Sequence, residues 1–451
     1  MREKLLQREF PAEEFNERRR KVFETIGPEA QVLVKGAVLR GDVTGHRQNN
    51  EFYYLCGIEA SHAYLLLDGS TRRTTLYLFE RNERRERAEG PLIGAQDEDL
   101  LVRKTGVDRV ADLDQIEKDL NEEGDLFILQ TPSEGSTMSQ DTIREAYELA
   151  DADPWDDKPA ALDQFTERIC ARRPNIRLHD LFPIIEEMRI VKSDREIAVM
   201  RRAGHLTALA VNEAIRSIRP GVMEYELAAA AEYVFRVNGA FGGAYAPIIS
   251  AGENIWHCHY SRNDCALNAG ELVLVDYAPD FRYYTSDIGR MIPVDGRYTE
   301  TQRMFYGWVV EYHKVLLEKI RPGVSAEQVE SEAAGVMEPR LDSIRFEDPE
   351  VEAGFRKTLE TRHLTHGVGM AVHDPGNYRK ELLRPGVVIA LDPQLWVPEQ
   401  EIYYRVEDTV VVTEDGIENF TEASPLELDA LEQMMNEEGL LQIRPPAPAS
   451  L

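Results

Sequence analysis

Apolar and polar positions fall into two regimes along the chain. In the first, short apolar runs alternate with longer amphipathic stretches. Segments 31–38, 63–68, 74–80 and 126–130 carry the runs expected of strands, while 112–122 and 142–150 repeat apolar residues at helical spacing. Such alternation predicts an α/β domain over residues 1–180. The acidic stretch 151–159 (DADPWDDKP) has no periodicity and is predicted as a loop. The second regime opens on a long amphipathic helix. Ser193-Asp194-Arg195-Glu196 has the form of a capping box, in which the serine hydroxyl takes the third amide and the glutamate returns to the first. A second domain is therefore expected over 181–440. Residues 441–451 end in RPPAPASL, too rich in proline to fold, and are expected to form a disordered tail.

The second domain contains an internal repeat. Ile218-Arg219-Pro220-Gly221-Val222 recurs as Ile320-Arg321-Pro322-Gly323-Val324, each copy followed by a helical pattern. Segment 270–276 resembles 386–392: a glycine turn feeds an apolar strand that ends in Asp276 or Asp392. Segment 287–296 aligns without gaps on 407–416, opening with Asp287 or Glu407 and closing on Asp-Gly. Two half-domains packed about a pseudo-twofold axis would bring these four carboxylates together. Four buried acids without compensation are prohibitively costly, and divalent cations are the ordinary remedy. A single aspartate at a strand end is usually a turn or cap residue; acids at both matched positions are not explained that way.

Composition narrows the partners. The 451 residues carry a net charge of −29, which repels phosphate backbones and argues against nucleic acid. No apolar run approaches the roughly 18–20 residues of a membrane span, and the first residues lack an apolar signal core, so a cytoplasmic protein is expected. Cys56, Cys170, Cys258 and Cys265 are scattered with no C-x-x-C pair, which makes a thiolate zinc site improbable. Histidines supply the remaining candidate chemistry. His366 and His373 bracket a glycine turn. In His257-Cys258-His259 the two imidazoles would share one face if the segment were a strand.

Several segments together resemble the pita-bread metallopeptidases, the group of aminopeptidase P, prolidase and methionine aminopeptidase. They are Val275-Asp276, Ser286-Asp287-Ile288, His366-Gly367-Val368-Gly369 with Val372-His373-Asp374, and Arg405-Val406-Glu407-Asp408. Upstream, 47–57 (RQNNEFYYLCG) and 77–82 (YLFERN) resemble the N-terminal domain of aminopeptidase P, which methionine aminopeptidases lack. The resemblance implies a creatinase-type α/β N-terminal domain, then an α+β pita-bread domain with a pseudo-twofold repeat. It implies that the chain hydrolyses the bond between an N-terminal residue and proline. Asp276, Asp287, His366, Asp392 and Glu407 would be metal ligands, with Asp287 and Glu407 bridging two divalent ions.

Family members use manganese, cobalt, zinc or iron; oxygen-rich ligands with one imidazole suit manganese. A water held between the cations would lose its proton near neutral pH and attack the scissile carbonyl. His259 matches the histidine near the substrate amide, and His373 the one beside the proline. Arg405 matches the arginine that orients substrate or acids, and position 392 is also the general base. Proline-containing peptides would be the substrates, and a homodimer or homotetramer the assembly.

The motif departs from the pattern in places. Asp392-Pro393-Gln394 stands where the family has Glu-Pro-Gly, Tyr277-Ala278-Pro279 follows the first metal aspartate, and Arg362 with His363 replaces an expected histidine. Trp396 falls where the substrate pocket is lined. The competing readings are an Xaa-Pro dipeptidase, a non-catalytic binding protein on the same fold, and a creatinase-like hydrolase that works without metal.

Overall fold

Among the residues that the computed structural model describes (2–38, 46–135, 137–155 and 161–446), the chain divides into two units, Met1–Arg189 and Ile190–Leu451. The first is built on a six-stranded sheet of β1 (Ala30–Lys35), β2 (Tyr64–Asp68), β3 (Arg73–Leu78), β4 (Arg109–Asp112), β5 (Glu123–Ile128) and β6 (Asn175–Asp180), in the order β4-β3-β2-β1-β5-β6. The β1–β2 and β2–β3 ladders are antiparallel and the others parallel. Strand β1 (AQVLVK) is buried along nearly its whole length, as befits a central strand.

Two expectations shift in this unit. The helix expected over 112–122 shrinks to two short turns, Leu113–Gln115 and Ile116–Asp119, because strands β4 and β5 claim its flanks. The helix expected over 142–150 runs from Gln140 to Ala152 and so takes the start of the expected loop 151–159, of which 156–159 lie outside the described residues.

The second unit opens with α1 (Asp194–Ser217). The expected cap is present: Ser193 Oγ accepts from the Glu196 amide at 3.3 Å, and Glu196 Oε2 accepts from the Ser193 amide at 2.9 Å. Next come α2 (Glu224–Val237), β7 (Gly242–Gly243), β8 (Ile248–Ala251), β9 (Leu272–Asp276), β10 (Pro279–Asp280) and β11 (Ile288–Pro293). The second half follows with α3 (Glu300–Lys319), α4 (Ala326–Leu341), β12 (Leu364–Gly367), β13 (Val388–Leu391), β14 (Gln394–Val397), β15 (Ile402–Arg405), β16 (Glu407–Val412) and β17 (Ile417–Asn419).

The main sheet runs β12-β13-β16-β11-β9-β8, with β17 beside β16, and that order is a palindrome of the repeat. Strands β8, β9 and β11 of one half mirror β12, β13 and β16 of the other, and the halves meet where β11 pairs antiparallel with β16. The two Pro-Gly turns repeat to the hydrogen bond: the Gly221 amide donates to Leu267 O and the Gly323 amide to Leu383 O, both at 2.8 Å. Both glycines have φ above +80°, a conformation that side chains resist. The apolar faces of the sheet and of α1 and α3 merge into one core, with Val273, Val309, Ile389 and Val410 fully buried.

The start of the expected tail is ordered. Leu440–Ile443 forms a helical turn in which Gln442 Nε2 donates to Ser217 O at 3.2 Å, while 447–451 lie outside the described residues.

Candidate metal centre

The palindrome delivers its acids to one place. Asp276 ends β9 and Asp392 directly follows β13; Asp287 directly precedes β11 and Glu407 begins β16. All four are buried, at 4% exposure or less. The β11–β16 ladder sets Gly289 opposite Glu407, and the missing side chain at Gly289 leaves room for it: a Cβ there would stand 3.2 Å from Glu407 Cβ. Thr409 Oγ1 accepts from the Asp287 amide at 2.6 Å and donates back to Asp287 O at 2.9 Å, locking the second acid in register.

His366, on β12, points into the same space. Its Nε2 lies 3.6 Å from Asp287 Oδ2 and 3.9 Å from Glu407 Oε1, and one ligand atom from each residue falls within 4.8 Å of the others. These separations are long for hydrogen bonds and match two donors on one cation, roughly 3–4 Å apart. Burial and the neighbouring His373 push the His366 imidazole down to about 3, so it stands neutral, as a ligand must.

Charge in the cluster is unbalanced. Arg405, buried at the end of β15, donates to Asp276 Oδ2 and lies 3.9 Å from Asp392 and 3.8 Å from Glu407. One guanidinium is thus paired with three of the four acids, and none of these ion pairs reaches Asp287. Burial and the charge of Asp276 push Asp287 up to about 7; burial, opposed by Arg405, leaves Asp392 raised to about 6; burial with Asp287 and Asp392 raises Glu407 well above the carboxylate range. Asp392 Oδ1 and Glu407 Oε2 are buried with no hydrogen-bond partner. Oxygens of this kind, beside a neutral imidazole, fit divalent cations.

The geometry also brings in Tyr245, which sequence reasoning missed. Its hydroxyl lies 2.7 Å from Asp276 Oδ1 and 2.8 Å from Asp287 Oδ1, and its single proton can serve only one fully. Nothing in Gly242-Gly243-Ala244-Tyr245 marks this role; the β7–β10 ladder places it. Of the other histidines, His373 lies 4.3 Å from His366 and 5.8 Å from His259, centroid to centroid. The expected strand through His257-Cys258-His259 is not formed. The short helical turn Gly252–Trp256 precedes it and the Tyr260 amide folds back to His257 O, so no strand alternation sets the two imidazoles, and His257 and His259 are both exposed. His363, noted beside Arg362, is a buried structural residue whose Nε2 lies 2.5 Å from Thr358 O. Across the β14–β15 hairpin, Trp396 packs on Tyr403 at 4.0 Å and meets Trp256 edge-on at 5.1 Å, forming an aromatic wall.

A palindromic sheet gathering four buried acids around a neutral imidazole, preceded by a separate α/β unit, defines the class of two-domain pita-bread metallopeptidases. Comparison with known proteins agrees. Residues 198–414 match metallopeptidase family M24, and 15–125 match the aminopeptidase P N-terminal domain. The Xaa-Pro aminopeptidase of Escherichia coli is 31% identical over 94% of this chain and 98% of its own length. A structure of aminopeptidase P from E. coli with the inhibitor Pro-Leu superposes with a TM-score of 0.75 at 30% identity, covering 94% of this chain and 98% of that one. An Xaa-Pro dipeptidase from Pyrococcus horikoshii is 32% identical but spans 53% of this chain and 64% of its own. The chain belongs to metallopeptidase family M24 and is a hydrolase of its aminopeptidase P branch.

Proposed function

We propose that this chain is a metal-dependent Xaa-Pro aminopeptidase, releasing the residue that precedes proline at a peptide N-terminus. The observation that carries the reading is the buried acid set around His366, in a chain similar to the E. coli aminopeptidase over both units. Asp276, Asp287, His366, Asp392 and Glu407 would hold two divalent cations, with Asp287 and Glu407 shared between them. The oxygen-rich donor set favours manganese over cobalt, zinc or iron. When bound, the cations would make a water acidic enough to act near neutral pH and would polarise the scissile carbonyl.

The remaining roles fall to the chain's own residues. Asp392 would take the proton of the attacking water at Oδ1. His373 and His259 would donate to the substrate's carbonyl and amide as charge develops. Arg405 positions Asp276, Asp392 and Glu407. Trp256 and Trp396, the latter backed by the buried Tyr403, would offer apolar faces to the proline ring, which has no N–H to satisfy. The four cysteines are free, as in a reducing cytoplasm. Tyr225, Tyr233 and Val237, exposed along α2, offer an apolar face for a homodimer or homotetramer.

The test is hydrolysis of an Xaa-Pro-Yaa tripeptide beside an Xaa-Pro dipeptide, with manganese and again after chelation. Tripeptide cleavage lost on chelation is the expected result. Cleavage of the dipeptide alone would make the protein a dipeptidase. Folded, manganese-loaded protein inert to both would overturn the reading.

A further inference from the structure

The segment after β13 carries a change that the fold does not require. Asp392 is one methylene shorter than the glutamate of the resembled motif, and Gln394 stands in place of its glycine. The two side chains are joined: Gln394 Nε2 donates to Asp392 Oδ2. Gln394 Oε1 accepts from Trp396 Nε1 at 3.0 Å. An indole N–H can only donate, so the amide oxygen must face Trp396 and the amide NH2 must face Asp392. The orientation is therefore dictated by chemistry.

Each link of this chain is held in turn. Trp396 is fixed by Tyr403 across the hairpin and by Trp256 at its edge. Gln394 sits opposite Arg405 in the β14–β15 ladder. The Asp392 amide donates to His363 O at 2.8 Å, which fixes its main chain. With Oδ2 engaged by Gln394, Asp392 keeps Oδ1 as its one open oxygen, buried without a hydrogen-bond partner and 3.9 Å from Arg405 Nε. A glycine at 394 could make none of these contacts.

We propose that Gln394 is a positioning residue: its amide, oriented by the Trp396 indole, holds the short Asp392 side chain so that Oδ1 alone serves the metal centre. The proposal rests on the two-cation reading above. It makes the aromatic wall and the metal centre one hydrogen-bonded unit, Trp396 to Gln394 to Asp392.

Calorimetric titration of chelated full-length protein with Mn2+ tests it. Wild type is compared with Gln394→Met, which keeps length and volume but removes the amide, and with Trp396→Phe, which removes the indole donor. In Gln394→Met the weaker-bound manganese should lose about tenfold or more in affinity, the scale of a lost partner to a ligand. Its thermal midpoint without metal should fall by no more than a few degrees, the scale of two lost side-chain hydrogen bonds. Trp396→Phe should shift the same cation in the same direction by less. Asp392→Glu with Gln394→Gly should recover binding that Asp392→Glu alone does not. Wild-type affinity for both cations in Gln394→Met would overturn the proposal and leave the metal reading intact. Metal-free Gln394→Met that has lost cooperative unfolding would also overturn it, making Gln394 a packing residue. Wild type binding fewer than two manganese ions would overturn the metal reading and the proposal with it.

Discussion

Replacing Asp287 by asparagine separates a metal centre from a structural network of acids. In metal-free protein, burial and the charge of Asp276 raise the Asp287 carboxyl from 3.8 to about 7. The folded state therefore holds the proton more tightly than the unfolded chain, and stability falls as pH rises between those values. Above about 7 the full penalty of the charge is present; below about 4 it is gone. At roughly 1.4 kcal/mol for each tenfold step in proton affinity, that gap corresponds to about 4 kcal/mol. Asparagine keeps the acceptor that Asp287 Oδ1 offers to Tyr245 and to the Ile288 amide, 2.8 Å and 3.0 Å away. Its NH2 would face His366 where Oδ2 now does. Chelated Asp287→Asn should thus be more stable than chelated wild type by ~2–4 kcal/mol at pH 8, with the advantage fading towards pH ~4. The same variant should bind manganese poorly and hydrolyse no Xaa-Pro tripeptide. Guanidinium unfolding at the two pH values, both proteins metal-free, gives the comparison. A variant less stable than wild type at pH 8 would show that Asp287 is a satisfied structural acid and that its charge is compensated without metal.

Manganese at a hundredfold excess over its dissociation constant should stabilise wild type by about 2.7 kcal/mol, and Asp287→Asn by far less, read as shifts in thermal midpoint. Gly289→Ala would set a Cβ 3.2 Å from Glu407 Cβ and 3.4 Å from Arg405 Nε; about 1–3 kcal/mol of stability and at least tenfold in kcat should be lost, whereas wild-type kinetics would show that the β11–β16 crossing tolerates a side chain. Asp408 is buried, but Arg290 at 2.8 Å and His313 at 2.8 Å outweigh the cost of burial and hold its carboxyl well below the usual range. Its stabilisation is present above the ordinary carboxyl value and is lost as pH falls through the lower folded one. Asp408→Asn should therefore cost ~3–5 kcal/mol at pH 7 and less under strongly acid conditions, measured by denaturant unfolding.

The acids are legible in the sequence because each stands at a fixed offset from a recurring turn. Gly270 and Gly386 both adopt positive φ two residues before the strands that lead to Asp276 and Asp392, so alignment of the copies also aligns the acids in space. Tyr245 has no such anchor. It reaches Asp276 and Asp287 through a two-residue ladder too short to leave a periodic trace. Alternation misled at His257-Cys258-His259, where a backbone turn at His257 O breaks the strand that the spacing suggests. In the first unit the interior strands lie within a few residues of the apolar runs, because strands buried on both faces read as unbroken apolar runs whether their ladders are parallel or antiparallel; their ends follow the ladders, which no local pattern encodes.

Duplication accounts for the cage but not for the chemistry. The frame supplies two acids from each half, and a site with that symmetry alone would present the same face to both sides. Hydrolysis needs one face for the attacking water and another for the carbonyl, so the copies must diverge. They do so mainly in the second half. His366 lies on edge strand β12, while its mirror β8 (IISA) offers no imidazole. Arg405, Gln394 and Trp396 belong to the β14–β15 hairpin, whereas the first half places β10 and the Tyr245 loop against the site. The first copy thus contributes Asp276 and Asp287 clasped by Tyr245, and the second contributes Asp392 and Glu407 beside Arg405, with Gln394 bonded to Asp392. The Asp392–Gln394 contact falls in this second copy, where Gln394 engages Oδ2 and leaves Oδ1 without a hydrogen-bond partner, while Asp276, Asp287 and Glu407 keep their places in the sheet.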